Sequence, residues 1–267
     1  MLFPHRRRPL LLGHRGVREG VEENTLEAFR RALEAGLDGV ELDVQRTADG
    51  ALVIHHDFLA GGLMVHTSKL SELKRRLPRL PLLEEVLELL EAFPDALLNL
   101  ELKSIPGFYD GRAEALARAV SSWPGRERAW ISSFDPVALL RVRETAPELP
   151  LGYLFIGHDS SRLAELLELE AVHPKLDLVT RDRVARWHRL GFSVITWPAA
   201  TREEALAALG AGVDGVIGGW PDELLKAKEE LGHAQVDEQP RDVGDGGYQG
   251  VGDKRGVHAQ PGDGQRQ

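Results

Sequence analysis

Cysteine is absent from this chain of 267 residues. That excludes a disulfide framework, a thiol nucleophile and a zinc–thiolate site. Long apolar runs are missing too, and none approaches the roughly 18 residues of a membrane span. The N-terminus, MLFPHRRRPLLLGHRG, sets basic residues before an apolar run. That run is only Leu10–Leu12, far short of the about 7–15 residues of a signal-peptide core. The expectation is a soluble cytoplasmic protein with no integral membrane segment. Excess positive charge is lacking as well: the net charge is -9, without the overall basic footprint of a nucleic-acid binder. Thermolabile side chains before residue 232 are confined to Asn24, Asn99, Gln45, Met1 and Met64. Such a composition suits a heat-adapted protein, and codon bias in a GC-rich genome produces it equally well.

What is present is an alternation. Eight short apolar runs (Leu10–Leu12, Gly39–Val44, Ala96–Leu102, Ala129–Phe134, Leu151–Phe155, Ala171–His173, Ser193–Trp197 and Gly215–Ile217) are separated by helical spacing. The helices fall at Asn24–Ala35, Leu82–Ala92, Arg112–Ser121, Pro136–Thr145, Ser161–Leu169, Arg181–Leu190, Thr201–Leu209 and Asp222–Leu231. Eight βα units predict a single α/β domain, a (β/α)8 TIM barrel over residues 1–231. A doubly wound sheet shares the alternation, and the count of eight favours the barrel. Asn24, with Glu27 three residues on, predicts the cap of the first helix, and Gly36 its end. Residues 232–267 are rich in Gly, Asp, Gln and Arg. With too little apolar area to order itself, this segment is expected to be a disordered tail.

One run is left over. Ala51–His56 follows Val44 too closely for a parallel crossover, and Ala48-Asp49-Gly50-Ala51 offers a two-residue Asp-Gly turn. Leu52–His56 is therefore expected to double back on the second strand as a β-hairpin excursion. Ala48 would face Ala51, and His56 would face Asp43 on a shared face. From Phe58 to Pro81 a loop insertion is expected beside the site, with a short polar helix around Ser68–Arg76. It is either a lid or a decoration.

Glu41 and Asp43 sit two apart on a strand, so both face one side. Glu101 and Lys103 repeat that geometry in the third run. Inward carboxylates in an apolar strand are expensive unless paired or metal-bound. Three of them predict one hard divalent cation, Mg²⁺ or Ca²⁺, the alternative being ion pairs with Lys103, Arg15 or Arg46. His14 and His56 end strand runs in the same neighbourhood, and two histidines titrating near neutrality suit acid and base roles across a scissile bond. His55 must face the other way. Arg15 and Lys103 suit phosphate binding. Trp197 packs either on a substrate or in the core. Ser132 and Ser133 lack a nucleophile elbow.

These residues resemble a known family, the glycerophosphodiester phosphodiesterases. The resemblance rests first on Gly13-His14-Arg15-Gly16, Glu23-Asn24-Thr25, Gly36-Leu37-Asp38 running into Glu41-Leu42-Asp43-Val44, Thr47-Ala48-Asp49-Gly50 and His56-Asp57. Glu101-Leu102-Lys103, Ser133-Phe134, His173-Pro174 and Gly212-Val213-Asp214-Gly215-Val216-Ile217 follow in the family's order. The resemblance implies a TIM barrel that hydrolyses glycerophosphodiesters to sn-glycerol 3-phosphate and an alcohol. It implies Glu41, Asp43 and Glu101 as ligands of Mg²⁺ or Ca²⁺, His14 and His56 as the acid/base pair, and Arg15 and Lys103 on the phosphate. Which histidine is the acid stays open, as does the nucleophile, water or the glycerol 2-hydroxyl. Trp197-Pro198-Ala199-Ala200 and Gly218-Gly219-Trp220 depart from the family pattern, which bears on substrate preference. Two alternatives accompany this reading: a lysophospholipase D-like hydrolase, favoured by an apolar groove near Phe58–Val65, and a non-catalytic phosphate-binding barrel. The partner in each case is a small molecule, not nucleic acid, and the oligomeric state is left open.

Overall fold

The apolar runs become parallel strands, short segments rich in leucine and β-branched residues that a sheet covered on both faces buries completely. A computed structural model describes residues 2–237. In chain order it contains β1 (Leu10–His14), α1 (Leu26–Glu34), β2 (Gly39–Arg46), β3 (Leu52–Ile54), β4 (Leu59–Ala60), β5 (Leu63–Met64), α2 (Leu70–Arg76) and α3 (Leu83–Glu91). There follow β6 (Leu97–Leu102), α4 (Arg112–Ser121), β7 (Ala129–Ser133), α5 (Pro136–Thr145), β8 (Leu151–Phe155), α6 (Ser161–Leu166), β9 (Ala171–Pro174), α7 (Arg181–Arg189), β10 (Ser193–Ala199), α8 (Arg202–Gly210), β11 (Gly215–Gly218) and α9 (Pro221–Asp237). Among the described residues, β1, β2 and β6–β11 form a closed barrel: β1 pairs in parallel with both β11 and β2, closing the order β1-β11-β10-β9-β8-β7-β6-β2. The expected (β/α)8 barrel is the observed fold. No helix of the described residues is long and apolar enough to cross a membrane.

Alternation along each strand sorts the barrel interior into layers. The floor, at the N-terminal strand ends, is apolar: Leu10, Leu12, Leu97, Trp130, Ala171, Ile195 and Ile217 pack together, and Leu2 closes them from below. Stepping upward by two from Leu12, Gly39, Leu97 and Trp130 gives His14, Glu41 and Asp43, Asn99 and Glu101, and Ser132. The same inward face that begins as hydrocarbon thus ends as charge at the C-terminal rim. A second, larger apolar layer lies between strands and helices and holds Phe29, Leu90, Leu116, Leu139 and Trp187.

Two expectations are corrected. The hairpin after β2 is one residue out of the expected register. Val44 pairs with Ile54 and Arg46 with Leu52, and the Thr47 N–H donates to the Ala51 carbonyl. The loop is therefore the three residues 48–50, closed by Gly50 at φ +93°, the left-handed conformation of a three-residue hairpin. His55, not His56, stands beside Asp43, and β3 ends at Ile54. At the other end of the chain, α9 continues to Asp237, beyond the expected stop at Leu231. The rest of the expected tail, 238–267, lies outside the described residues. The excursion folds onto a small core of its own: Val53, Ala60, Val65, Leu73 and Leu80. Ala60 and Val65 are thereby buried, and the expected Phe58–Val65 stretch leaves Leu59 as its one exposed large apolar side chain.

Candidate active site

The site begins with a tight turn at the end of β1. A side chain at Gly13 would meet the Gly16 carbonyl oxygen at 2.5 Å, so only glycine lets the chain fold back there. Arg15 (φ +54°) and Gly16 (φ +86°) are both left-handed. Left-handed backbone at a residue other than glycine is costly and persists where its surroundings enforce it. Here they do. The Arg15 N–H donates to Glu41 Oε2 at 3.1 Å, its Nη1 donates to Glu23 Oε1 at 2.5 Å, and its Nε lies 3.2 Å from Asp43 Oδ2.

Asn24 is a second left-handed residue, at φ +56°. It is not the cap of α1. Thr25 takes that role, its Oγ1 accepting from the Ala28 N–H at 3.2 Å. Asn24 instead donates its N–H to the Arg15 carbonyl at 2.9 Å, and its Nδ2 donates to Asp43 Oδ2 at 2.9 Å. Sequence reasoning spent Asn24 on a local cap, and assigned no role to Glu23. The signal for both was proximity in sequence to Thr25: residues just before a helix N-terminus at a barrel rim face the strand ends.

Glu41 and Asp43 from β2 and Glu101 from β6 converge, with Asp43 and Glu101 directly paired across the two strands. Their ligand oxygens lie within 4.8 Å of one another. Lys103 Nζ is 3.0 Å from Glu101 Oε1 and 3.6 Å from Asp43 Oδ1. Burial, with Asp43 beside them, drives the Glu41 carboxyl well above its ordinary range and the Glu101 carboxyl up to about 7. Two cations therefore do not neutralise the trio. Asp43 Oδ1 is buried without a hydrogen bond. Three carboxylates with an orphaned oxygen among them fit a hard divalent cation, which takes oxygen ligands.

His14 ends β1 beside this group, Nε2 4.0 Å from Glu41 Oε2. Burial and the neighbouring Arg15 charge lower its pKa to about 4. Trp197 from β10 lines the same small pocket as His14, Glu41, Asn99, Glu101 and Ser132. Its Nε1 donates to the His173 carbonyl at 3.0 Å, and Phe134 meets it edge-on at 5.5 Å between ring centroids. His56 stands on the loop after β3. It lines an adjoining cleft together with Glu23, Asn24 and Asp57, and its Nδ1 is 2.6 Å from Asp57 Oδ1. So the structure brings His14, Arg15, Glu41, Asp43, Glu101, Lys103 and Trp197 into one place, and sets His56 at its edge by loop backbone, not by the strand pairing expected.

A (β/α)8 barrel with carboxylates, cations and histidines gathered at the C-terminal ends of its strands has the layout of an enzyme, with chemistry at the rim and stability at the floor. Comparison with known proteins gives the class a name. The profile of the glycerophosphoryl diester phosphodiesterase family matches residues 14–223. A glycerophosphodiester phosphodiesterase of Caldanaerobacter subterraneus subsp. tengcongensis is 34% identical over 234 residues, spanning 81% of this chain and 96% of that one. One from Bacillus altitudinis is 29% identical, spanning 83% and 98%. Among solved structures, a phosphodiesterase of Oleispira antarctica in complex with the product sn-glycerol-3-phosphate superposes with a TM-score of 0.76 at 25% identity, covering 83% of this chain and 97% of that one. The chain belongs to the glycerophosphoryl diester phosphodiesterase family and is a phosphoric diester hydrolase.

Proposed function

We propose that this protein hydrolyses glycerophosphodiesters to sn-glycerol 3-phosphate and an alcohol. The observation that carries the proposal is the convergence of Glu41, Asp43 and Glu101 with Arg15, Lys103 and His14 at the barrel rim of a member of this family. Glu41, Asp43 and Glu101 are the residues that would hold a divalent cation, Mg²⁺ or Ca²⁺, whose charge supplies electrostatic stabilisation at the phosphoryl oxygens.

The remaining work falls to the chain's own side chains. Arg15 and Lys103 bind the non-bridging oxygens of the diester as charge grows on them, Arg15 with a fork suited to phosphate. His14, kept neutral at physiological pH by burial and Arg15, offers a lone pair. It takes the proton from the attacking oxygen, that of water or of the substrate's own 2-hydroxyl. The resulting imidazolium stands beside Glu41. His56 has its Nδ1 held by Asp57, whose carboxyl that bond keeps below its ordinary range. With Nδ1 engaged by Asp57, Nε2 is the ring nitrogen left to give a proton to the departing alcohol oxygen. Trp197, partly exposed in the pocket wall, offers an apolar face to the glycerol carbons. Soluble, intracellular handling of a small-molecule substrate fits this reading.

The test is release of glycerol 3-phosphate from glycerophosphocholine and glycerophosphoethanolamine, with lysophosphatidylcholine in parallel. It is run with EDTA and then with Mg²⁺, Ca²⁺ or Mn²⁺ restored. The expected result is release that chelation stops and a divalent cation restores, on the deacylated substrates. Release untouched by exhaustive chelation would overturn the carboxylate assignment. Turnover confined to the acylated substrate would overturn the substrate.

A further inference from the structure

Gln45 lies two residues beyond Asp43 on β2, so strand alternation puts Glu41, Asp43 and Gln45 on one face. It is 1% exposed, a long uncharged polar side chain buried between Val44 and the end of β2. Its Nε2 donates to the carbonyls of His55 and Asp57, both at 2.7 Å, and lies 3.4 Å from the carbonyl of His56. Three consecutive carbonyls thus turn toward one amide nitrogen. Carbonyl dipoles aimed at a common point repel one another, and an isolated turn has no reason to adopt that arrangement. A buried NH₂ group, with two hydrogens to give, offsets the repulsion where water has no access.

The turn needs the help. β3 ends at Ile54, and the last ladder-like bond is from the His55 N–H to the Asp43 carbonyl, at 3.0 Å. Beyond it, the His56 side chain is 38% exposed and its ring partner Asp57 is 73% exposed, so packing does not hold either in place. The direction in which His56 leaves the backbone is set by the peptide planes of residues 55–57, whose carbonyls meet Gln45, with the His55 ring Nδ1 also 3.0 Å from the Asp57 carbonyl.

We infer that Gln45 is the positioning residue of His56, tying the loop that carries this histidine to the strand that carries Glu41 and Asp43. The inference rests on the role given to His56 above. One strand then carries both Glu41 and Asp43 and the side chain that holds the acid's loop, Gln45 lying two residues, about 7 Å, beyond Asp43 along β2. An apolar side chain of the same length would fill the space and remove the one group that meets all three carbonyls, leaving only the His55 ring beside that of Asp57.

The experiment compares Gln45→Met, His56→Ala and the double variant in the full chain, saturated with a divalent cation. Each is assayed on glycerophosphocholine and on a glycerophosphodiester whose leaving alcohol is p-nitrophenol. Gln45→Asn, which keeps an amide on a shorter stem, is carried alongside and stands in should the Met variant fail to fold. The expected result is a kcat lowered about 10–100-fold by Gln45→Met, with KM and the cation titration midpoint unchanged. The double variant should be no slower than His56→Ala, since both changes remove one function. Both defects should shrink on the p-nitrophenyl substrate, whose leaving group departs without a proton. A Gln45→Met defect equal on both substrates and additive with His56→Ala would mean general disruption, and would overturn the inference. So would normal kcat in Gln45→Met beside a slow His56→Ala. Normal turnover in His56→Ala would remove the role of His56 itself, and this inference with it.

Discussion

At the floor of the barrel, Asp214 accepts from the Val194 N–H at 2.8 Å, pairs with His188 at 2.8 Å and meets Arg8 on its other oxygen. Asp38 accepts from the Leu11 N–H at 2.8 Å and lies 3.3 Å from Lys228 Nζ. At the rim, Glu41, Asp43 and Glu101 crowd within 4.8 Å, share Arg15 and Lys103, and leave Asp43 Oδ1 without a hydrogen bond. Both ends set carboxylates beside arginine, lysine and histidine, Asp214 buried and Asp38 half-buried at the floor. At the floor each negative charge meets its own donors, and the arrangement ties strand ends to helices. At the rim negative charges outnumber their partners, and the fold holds them together at a cost in stability. Residue type does not separate a structural cluster from a functional one here. The balance of charge and the satisfaction of lone pairs do.

That contrast is broken most severely by removing one rim carboxylate. Glu41→Gln should lower cation-dependent release of glycerol 3-phosphate by about 10³-fold, the scale of several kcal/mol of lost charge stabilisation. The same change should leave the metal-free protein at least as stable, because a buried carboxyl that resists ionisation has been replaced by a neutral amide. Steady-state assays beside urea unfolding in EDTA check both halves.

The next effect is in pH. In the chelated protein the Glu101 carboxyl sits at about 7, above its unfolded-chain value. The folded state therefore binds the proton more tightly. Its contribution is present at low pH and is lost as pH rises from about 4.5 through 7, by about 3 kcal/mol. Urea unfolding of the wild type against Glu101→Gln at pH 4.5 and 8 reads this, the wild type becoming the less stable of the two as pH rises. A difference independent of pH would contradict it. At the floor, Asp214→Asn should cost about 1–3 kcal/mol of stability and leave kcat unchanged, measured by the same unfolding and release assays.

The barrel could be read from sequence because parallel strands covered on both faces are nearly continuous apolar runs, such as Leu10–Leu12 and Ala96–Leu102, and the helices between them keep a 3.6-residue period. The inward position of Glu41, Asp43 and Glu101 followed from a period of two, which register cannot disturb within a strand, and Lys103 keeps that period one residue past the end of β6. His56 was different. Its chemistry was readable, but its placement beside Asp43 depended on whether Asp49-Gly50 made a two- or a three-residue loop, and one residue moved the whole pairing. Asn24 was misread because a cap and a carboxylate both accept its service, and a contact to Asp43, distant in sequence, won over the local one. Gln45 carried a signal that went unused: a buried amide in register with two acids.

The most direct test of the account is the thermal unfolding of the wild type and Glu41→Gln at pH 7.5, in EDTA and with saturating Mg²⁺ or Ca²⁺. If the rim is a cluster of excess negative charge built to receive a cation, the cation raises the Tm of the wild type and leaves that of Glu41→Gln nearly unmoved. No cation-dependent rise in the wild type, or an equal rise in both, would contradict it.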